Sequence, residues 1–304
     1  YTLQLVTEFN HIKCIFAQQK KATMKRIITL LTGFYCVIIN AQNTPITQAN
    51  FKDAINTCLG IDRYYGNCTS SEYGEMKDWD VSQVTDMNNA FEEKTLFNGD
   101  ISAWDVSNVS NMSGMFASAS NFNQDISTKL VTLADGSSYT VWDVSNVTDM
   151  SQMFYYATSF NQNISSWDVS KVTNIRQMFY ATSFNQNISS WDVSKVTDMS
   201  KMFQYASAFN QDLNSWDVSN VTDMKGMFTE ANSFNQDIGS WDVSKVTDMK
   251  YMFYLATTFN QDLSNWCVTN IVSEPSIFAT GTLLSEANKP IWGTCPNSSL
   301  SVND

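Results

Sequence analysis

The chain has 304 residues, 43% of them hydrophobic and 13% aromatic, enough to bury a substantial core. Its formal charge is −12, and without residues 1–41, which hold five Lys or Arg and one Glu, the remainder carries −16. So acidic a body repels phosphate backbones, which excludes nucleic acid as an expected partner.

In chain order, MKRIITLLTGFYCVIINAQN places the basic pair Lys25 and Arg26 before an apolar run from Ile27 to Ile39 and the small residue Ala41. This is the layout of a secretory signal peptide over residues 24–42, with residues 1–23 upstream of the mature protein. The run is too short to span a bilayer comfortably, so no transmembrane span is expected in the mature chain. Tyr35, bulky before Cys36, argues against lipid attachment there. Export leaves Cys58, Cys68, Cys267 and Cys295 in an oxidising setting. Three pairings are open to them. Each pair flanks one end of the central region, so Cys58–Cys68 and Cys267–Cys295 are expected; zinc is disfavoured because neither CxxC spacing nor a mature histidine accompanies them.

Residues 43–78 read as an N-terminal cap, with Phe51, Ala54, Ile55, Cys58 and Leu59 on one helical face and Thr47 as a possible helix start. From there WDV or WCV recurs at Trp79, Trp104, Trp142, Trp167, Trp191, Trp216, Trp241 and Trp266, at intervals of 25, 38, 25, 24, 25, 25 and 25. A fixed period of this size means a solenoid, whose turns bury their apolar faces only against one another. In ISSWDVSKV, Ile188, Trp191, Val193 and Val196 follow a leucine-rich-repeat strand pattern, with Ser190, Asp192 and Ser194 facing out. In TDMSKMFQYA, Met199, Met202, Phe203 and Ala206 are spaced for a short helix capped by Asp198, and Phe209 returns the chain to the core. The expected fold is an α/β solenoid: a leucine-rich-repeat-like right-handed stack of about eight 25-residue turns over residues 79–266. Short parallel strands would line one face and short helices the other, between disulfide-tied caps.

The 38-residue interval contains TKLVTLADGSSYTV at 128–141, whose alternation about Asp135-Gly136 predicts a projecting β-hairpin. Residues 267–298, containing Pro275 and Cys295, read as the C-terminal cap, and residues 299–304 as a linker or truncated tail.

Three polar rows follow from the repeat. Asp80, Asp105, Asp143, Asp168, Asp192, Asp217 and Asp242 place one outward carboxylate on each strand. Flanking hydroxyls and backbone N–H groups, with raised pKa values, would satisfy them; calcium binding to the row is the competing expectation, although the GGxGxD spacing of calcium β-rolls is missing. No other cofactor is implied. Asp86, Asp149, Asp198, Asp223 and Asp248, exchanged for Asn111 and Asn174 in two turns, suit helix capping. Asn123, Asn161, Asn185, Asn210, Asn235 and Asn260 suit an amide ladder from turn to turn.

WDVSxVTDMxxMF followed by FNQDIS resembles the repeat of BspA-family leucine-rich-repeat surface proteins, including the mycoplasma-type lipoprotein repeat of unknown function. The resemblance covers about residues 46–297 and departs from the pattern at the insertion, the 24-residue turn at Phe179-Tyr180-Ala181, and Cys267. It implies a secreted or outer-surface protein that binds a host, matrix or cell-surface protein or glycan, without an established enzymatic activity.

An enzyme is disfavoured on inventory as well. The only histidine, His11, lies upstream of the signal peptide, and the carboxylates recur in nearly every turn instead of forming one differentiated pair. Two readings stand: a non-catalytic adhesion or ligand-binding scaffold, and a purely structural spacer or assembly module on the cell surface. For the first, the candidate recognition aromatics are Tyr155, Tyr156, Tyr180, Tyr205 and Tyr254 on the helix side, with Gln204 and Leu255 beside them.

Overall fold

The computed structural model describes residues 25–28, 37–40 and 43–296. Of the segment read as a signal peptide, the described residues are β1 (Lys25–Ile28) and β2 (Val37–Asn40), an antiparallel pair. The upstream segment 1–23 and the tail 299–304 lie outside the described residues. Helix α1 (Phe51–Ile61) buries Phe51, Ala54, Ile55, Cys58 and Leu59, the face its 3–4 spacing dictates. It starts after Asn50 rather than at Thr47, and the Asn50 side-chain oxygen turns back to accept the Thr47 N–H at 2.8 Å.

Successive turns are joined by backbone hydrogen bonds, but not in the way the periodicity predicts. The TDMSKMFQYA segment is not helical. Met199, Lys201, Phe203 and Tyr205 donate their N–H groups to the carbonyls of Asp223, Lys225, Met227 and Thr229 in the next turn, at 2.8–3.0 Å. The N–H groups of Met202, Gln204 and Ala206 instead close short turns onto Met199, Lys201 and Phe203. The same alternation runs from Met87 to Glu230. It requires left-handed backbone at two positions per turn, such as Lys201 (φ 57°) and Tyr205 (φ 61°), which no α-helix contains.

Spacing explains the difference. Three aromatic columns run through the stack, and neighbouring rings lie at similar distances in all of them. The Phe91–Phe116 column has centroids 5.4–5.7 Å apart, the Phe97–Phe122 column 5.9–6.3 Å, and stacked indoles 6.1–6.5 Å. Packed helices need about 8–10 Å between axes. A stack that does not fan out on one side therefore has no room for a helix on every turn.

The expected WDV strands are absent too. In WDVSKV, Asp192 accepts the Ser194 N–H and the Val196 N–H closes onto the Val193 carbonyl, so the segment folds into turns. Parallel pairing falls instead on the TD position, as single bridges linking Asp86, Asn111, Asp149, Asn174, Asp198, Asp223 and Asp248. The core assignment is unaffected: Trp191, Val193, Val196, Met199, Met202, Phe203 and Phe209 are all buried. From Trp104 to Trp266 each repeat indole N–H also donates into the preceding turn, Trp191 to the Ile164 carbonyl at 3.2 Å and Trp216 to that of Ile188 at 3.1 Å.

The turn geometry gives a direct test. In a helix, Lys201→Gly would cost about 1 kcal/mol. At φ 57° it is expected to stabilise by about 0.5–1 kcal/mol, because glycine removes the left-handed penalty. Gly114 and Gly226 already occupy this position, both at φ 62°. Urea denaturation of the variant distinguishes the two signs.

The insertion at 128–141 forms a hairpin, β3 (Lys129–Thr132) antiparallel to β4 (Ser138–Val141), turning at Gly136 with φ 85°. Cys58–Cys68 and Cys267–Cys295 are the two disulfides. The ladder continues one turn past Trp266, with Phe253 and Leu255 donating to the carbonyls of Phe278 and Thr280 at 2.8 and 2.9 Å. The C-terminal cap thus begins as a further turn of the stack.

Candidate functional site

The outward WD carboxylates are each engaged locally. In all seven turns Oδ1 accepts the N–H of the serine two residues on, at 3.0 Å, from Asp80 with Ser82 to Asp242 with Ser244. This Asx turn forms because a short carboxylate reaches its own backbone two residues ahead. For Asp168, Asp192 and Asp217 the shift is opposite to the rise that the sequence suggested. Ser170, Ser194 and Ser219, through hydroxyl and N–H, hold Asp168, Asp192 and Asp217 below the ordinary carboxylate range. Hydrogen bonding to the charged form outweighs repulsion along this solvent-screened row.

The TD row is not a set of helix caps. Its members make the same turn, Asp198 accepting the Ser200 N–H at 2.8 Å and Asp223 that of Lys225 at 2.8 Å, while their backbones form the parallel bridges. Toward the N-terminal end asparagines interrupt the charges, and Asn174 Nδ2 lies 3.5 Å from Asp149 Oδ2. Asp198, Asp223 and Asp248 have no such interruption. Burial first, then the charges of Asp198 and Asp248, push the Asp223 pKa up.

A raised folded-state pKa means that the Asp223 carboxylate opposes folding at neutral pH and that the penalty is relieved as pH falls through that value. Asp223→Asn is therefore expected to stabilise at pH 7 by about 0.5 kcal/mol, the size of a half-exposed, screened interaction. The advantage should shrink on acidification. Asp168, Asp192 and Asp217 behave oppositely, contributing stability above their unfolded pKa that is lost as pH falls through the folded one. Paired melts of wild type and variant across the acid range read both signs.

Among the described residues, no group of three or more His, Cys, Asp or Glu side chains is arranged to hold a metal ion. Calcium prefers 6–8 oxygen ligands, whereas Oδ1 of each WD carboxylate is already engaged in its own turn. Adding calcium at physiological salt is accordingly expected to leave the melting temperature unchanged.

The asparagine row bonds from turn to turn. Asn161 Oδ1 accepts the Asn185 N–H at 2.9 Å, Asn185 Oδ1 that of Asn210 at 2.9 Å, and so on to Asn260. Glutamines beside them, such as Gln211, donate Nε2 to the same oxygens.

Of the five candidate tyrosines, four come together. Tyr155 and Tyr156 are 4.7 Å apart, Tyr155 and Tyr180 4.7 Å, Tyr156 and Tyr180 5.3 Å, and Tyr180 and Tyr205 5.2 Å. Tyr156 and Tyr205 are exposed, and burial together with a hydrogen bond to Tyr156 pushes the Tyr180 pKa up. Tyr254 is separated from them by Thr229 and Glu230, and its ring pairs with that of Tyr251, which the sequence did not single out. Gln204, beside Tyr205, has a buried Oε1 without a hydrogen-bond partner.

Sequence reasoning also missed a shallow cleft of about 230 Å³ beside the N-terminal cap, lined by Tyr64, Tyr65, Leu96, Asn98, Asn121 and Ser159. The available signal was an aromatic doublet inside the loop between Cys58 and Cys68.

The family profile of the Mycoplasma protein of unknown function DUF285 matches residues 60–182, 131–231 and 179–290. These overlapping matches span most of the chain and coincide with the stacked turns. The chain belongs to this family. Comparison with curated proteins and with solved structures returned no match. Membership accounts for the repeat and assigns no chemistry to it. The two disulfides are consistent with an oxidising, extracellular or surface setting. No helix among the described residues is long and apolar enough to cross a membrane.

Proposed function

We propose that the protein is a secreted or outer-surface, non-catalytic ligand-binding scaffold, a solenoid of stacked turns that adheres to a host, matrix or cell-surface protein or glycan. The observation that carries this reading is the four-tyrosine shelf over three successive turns, beside the unpartnered Gln204 Oε1. Tyrosine offers apolar area with a polar tip at low entropic cost, which suits recognition. The Asp and Asn rows, by contrast, are engaged in holding the turns, so they leave less for a ligand.

The test is binding of the purified region 43–298 to glycan and matrix-protein arrays, alongside Tyr156→Ala/Tyr205→Ala. Binding that drops about tenfold or more in the double variant is expected for a shelf that supplies the hot spot. Blank arrays, together with altered cell-surface architecture on deletion, would replace adhesion with the spacer reading.

A further inference from the structure

We infer that the cleft beside the N-terminal cap is a second site, separate from the tyrosine shelf, and that it binds an uncharged pyranose. Its rings are displayed rather than buried: Tyr64 is 48% and Tyr65 60% exposed, with centroids 6.2 Å apart and planes tilted by 37°. Two adjacent exposed tyrosines offer apolar area with polar tips, the kind of surface that recognition uses.

The loop that carries them is held rigid from several sides. The Cys58–Cys68 disulfide closes it. Asp62 accepts the N–H groups of Tyr64, Tyr65 and Asn67 at 3.0, 3.3 and 3.1 Å. The Asn98 N–H donates to the Tyr64 carbonyl at 2.8 Å. Gly99 lets the loop approach the first turn, since a Cβ there would lie 2.5 Å from the Tyr65 carbonyl. Such pre-organisation removes much of the ordering cost of binding.

Besides Leu96, the rest of the lining is polar and has unused hydrogen-bonding capacity. The Asn121 amide, the Ser159 hydroxyl and Asn98 Nδ2 make no hydrogen bond with any described residue, while Asn98 Oδ1 accepts the Asn123 N–H at 2.9 Å. No charged side chain lines the cleft, although the protein carries −12 overall. Aromatic rings and neutral donors and acceptors lining one cleft match a sugar ring, whose C–H face suits tyrosine and whose hydroxyls suit amides. A carboxylated sugar would bring a negative charge to an acidic protein with no cation in the cleft to meet it.

The test is saturation-transfer NMR on the disulfide-intact protein with methyl glucoside, methyl galactoside and methyl N-acetylglucosaminide as probes. Methyl glucuronide serves as the acidic comparison, glycerol as the acyclic polyol and a proline-rich peptide as the competing class. Ring-proton transfer to at least one neutral pyranoside is expected, reduced about fivefold or more in Tyr64→Ala/Tyr65→Ala and in Asn121→Leu. The substituted side chains are exposed, and circular dichroism checks that each variant is folded. The inference is overturned by equal transfer in Tyr64→Ala/Tyr65→Ala, by binding of glycerol, glucuronide or peptide without a neutral pyranoside, or by no transfer to any probe.

Discussion

Trp191→Ala is expected to destabilise the protein by about 3–5 kcal/mol, the range for removing a large buried aromatic. Trp191 is 4% exposed, stacks on Trp167 at 6.4 Å and contacts Phe179 at 6.3 Å, so the truncation opens a cavity at the junction of two columns. It also leaves the Ile164 carbonyl without its indole donor. Trp191→Phe separates the contributions: a ring remains, and the lost hydrogen bond and volume should together cost about 1–3 kcal/mol. Because a stack couples nearest neighbours, hydrogen exchange should accelerate in the turns bearing Trp167 and Trp216 while the turn bearing Trp79 stays protected. Uniform acceleration along the chain would show that the turns unfold as one unit.

Cys267→Ser/Cys295→Ser is expected to cost about 3–4 kcal/mol, as closing a loop of 28 residues restricts the unfolded chain. Cys58→Ser/Cys68→Ser, across 10 residues, should cost about 2–3 kcal/mol by the same reasoning. The C-terminal end depends on its bridge for a further reason. Although Val268, Ile271, Phe278 and Leu284 are buried, Val272, Leu283 and Ile291 remain 83%, 66% and 67% exposed, so part of the cap's apolar surface adds no burial energy. Denaturant melts with and without reductant measure both effects, and loss of C-terminal protection before the rest is expected when Cys267–Cys295 is open. Equal midpoints under the two conditions would show that the turns alone hold the caps.

The sequence was most informative where one residue type has one place to go. The recurrence of Trp, Val, Met and Phe identified the core, since large apolar side chains at a fixed period can be buried only against their neighbours in adjacent turns. The cysteine pairing and the hairpin were legible as well, because each is a local or end-to-end constraint. The tyrosines were legible as a class but not as a place. Only the fold gathers Tyr155, Tyr156, Tyr180 and Tyr205 and leaves Tyr254 apart.

The sequence by itself determined the repeat, its buried residues and the ties at its ends. Tertiary structure decided the backbone of each turn. Met199, Met202, Phe203 and Ala206 satisfy helical spacing, yet a chain that must meet its copy every 5.4–6.5 Å gives its N–H groups to that copy rather than to its own preceding turn. The same closeness turned the aspartates from caps and strand ornaments into turn-holding acceptors. It also brought Tyr64 and Tyr65 to the wall formed by Asn121 and Ser159, residues distant in sequence that only stacking places together.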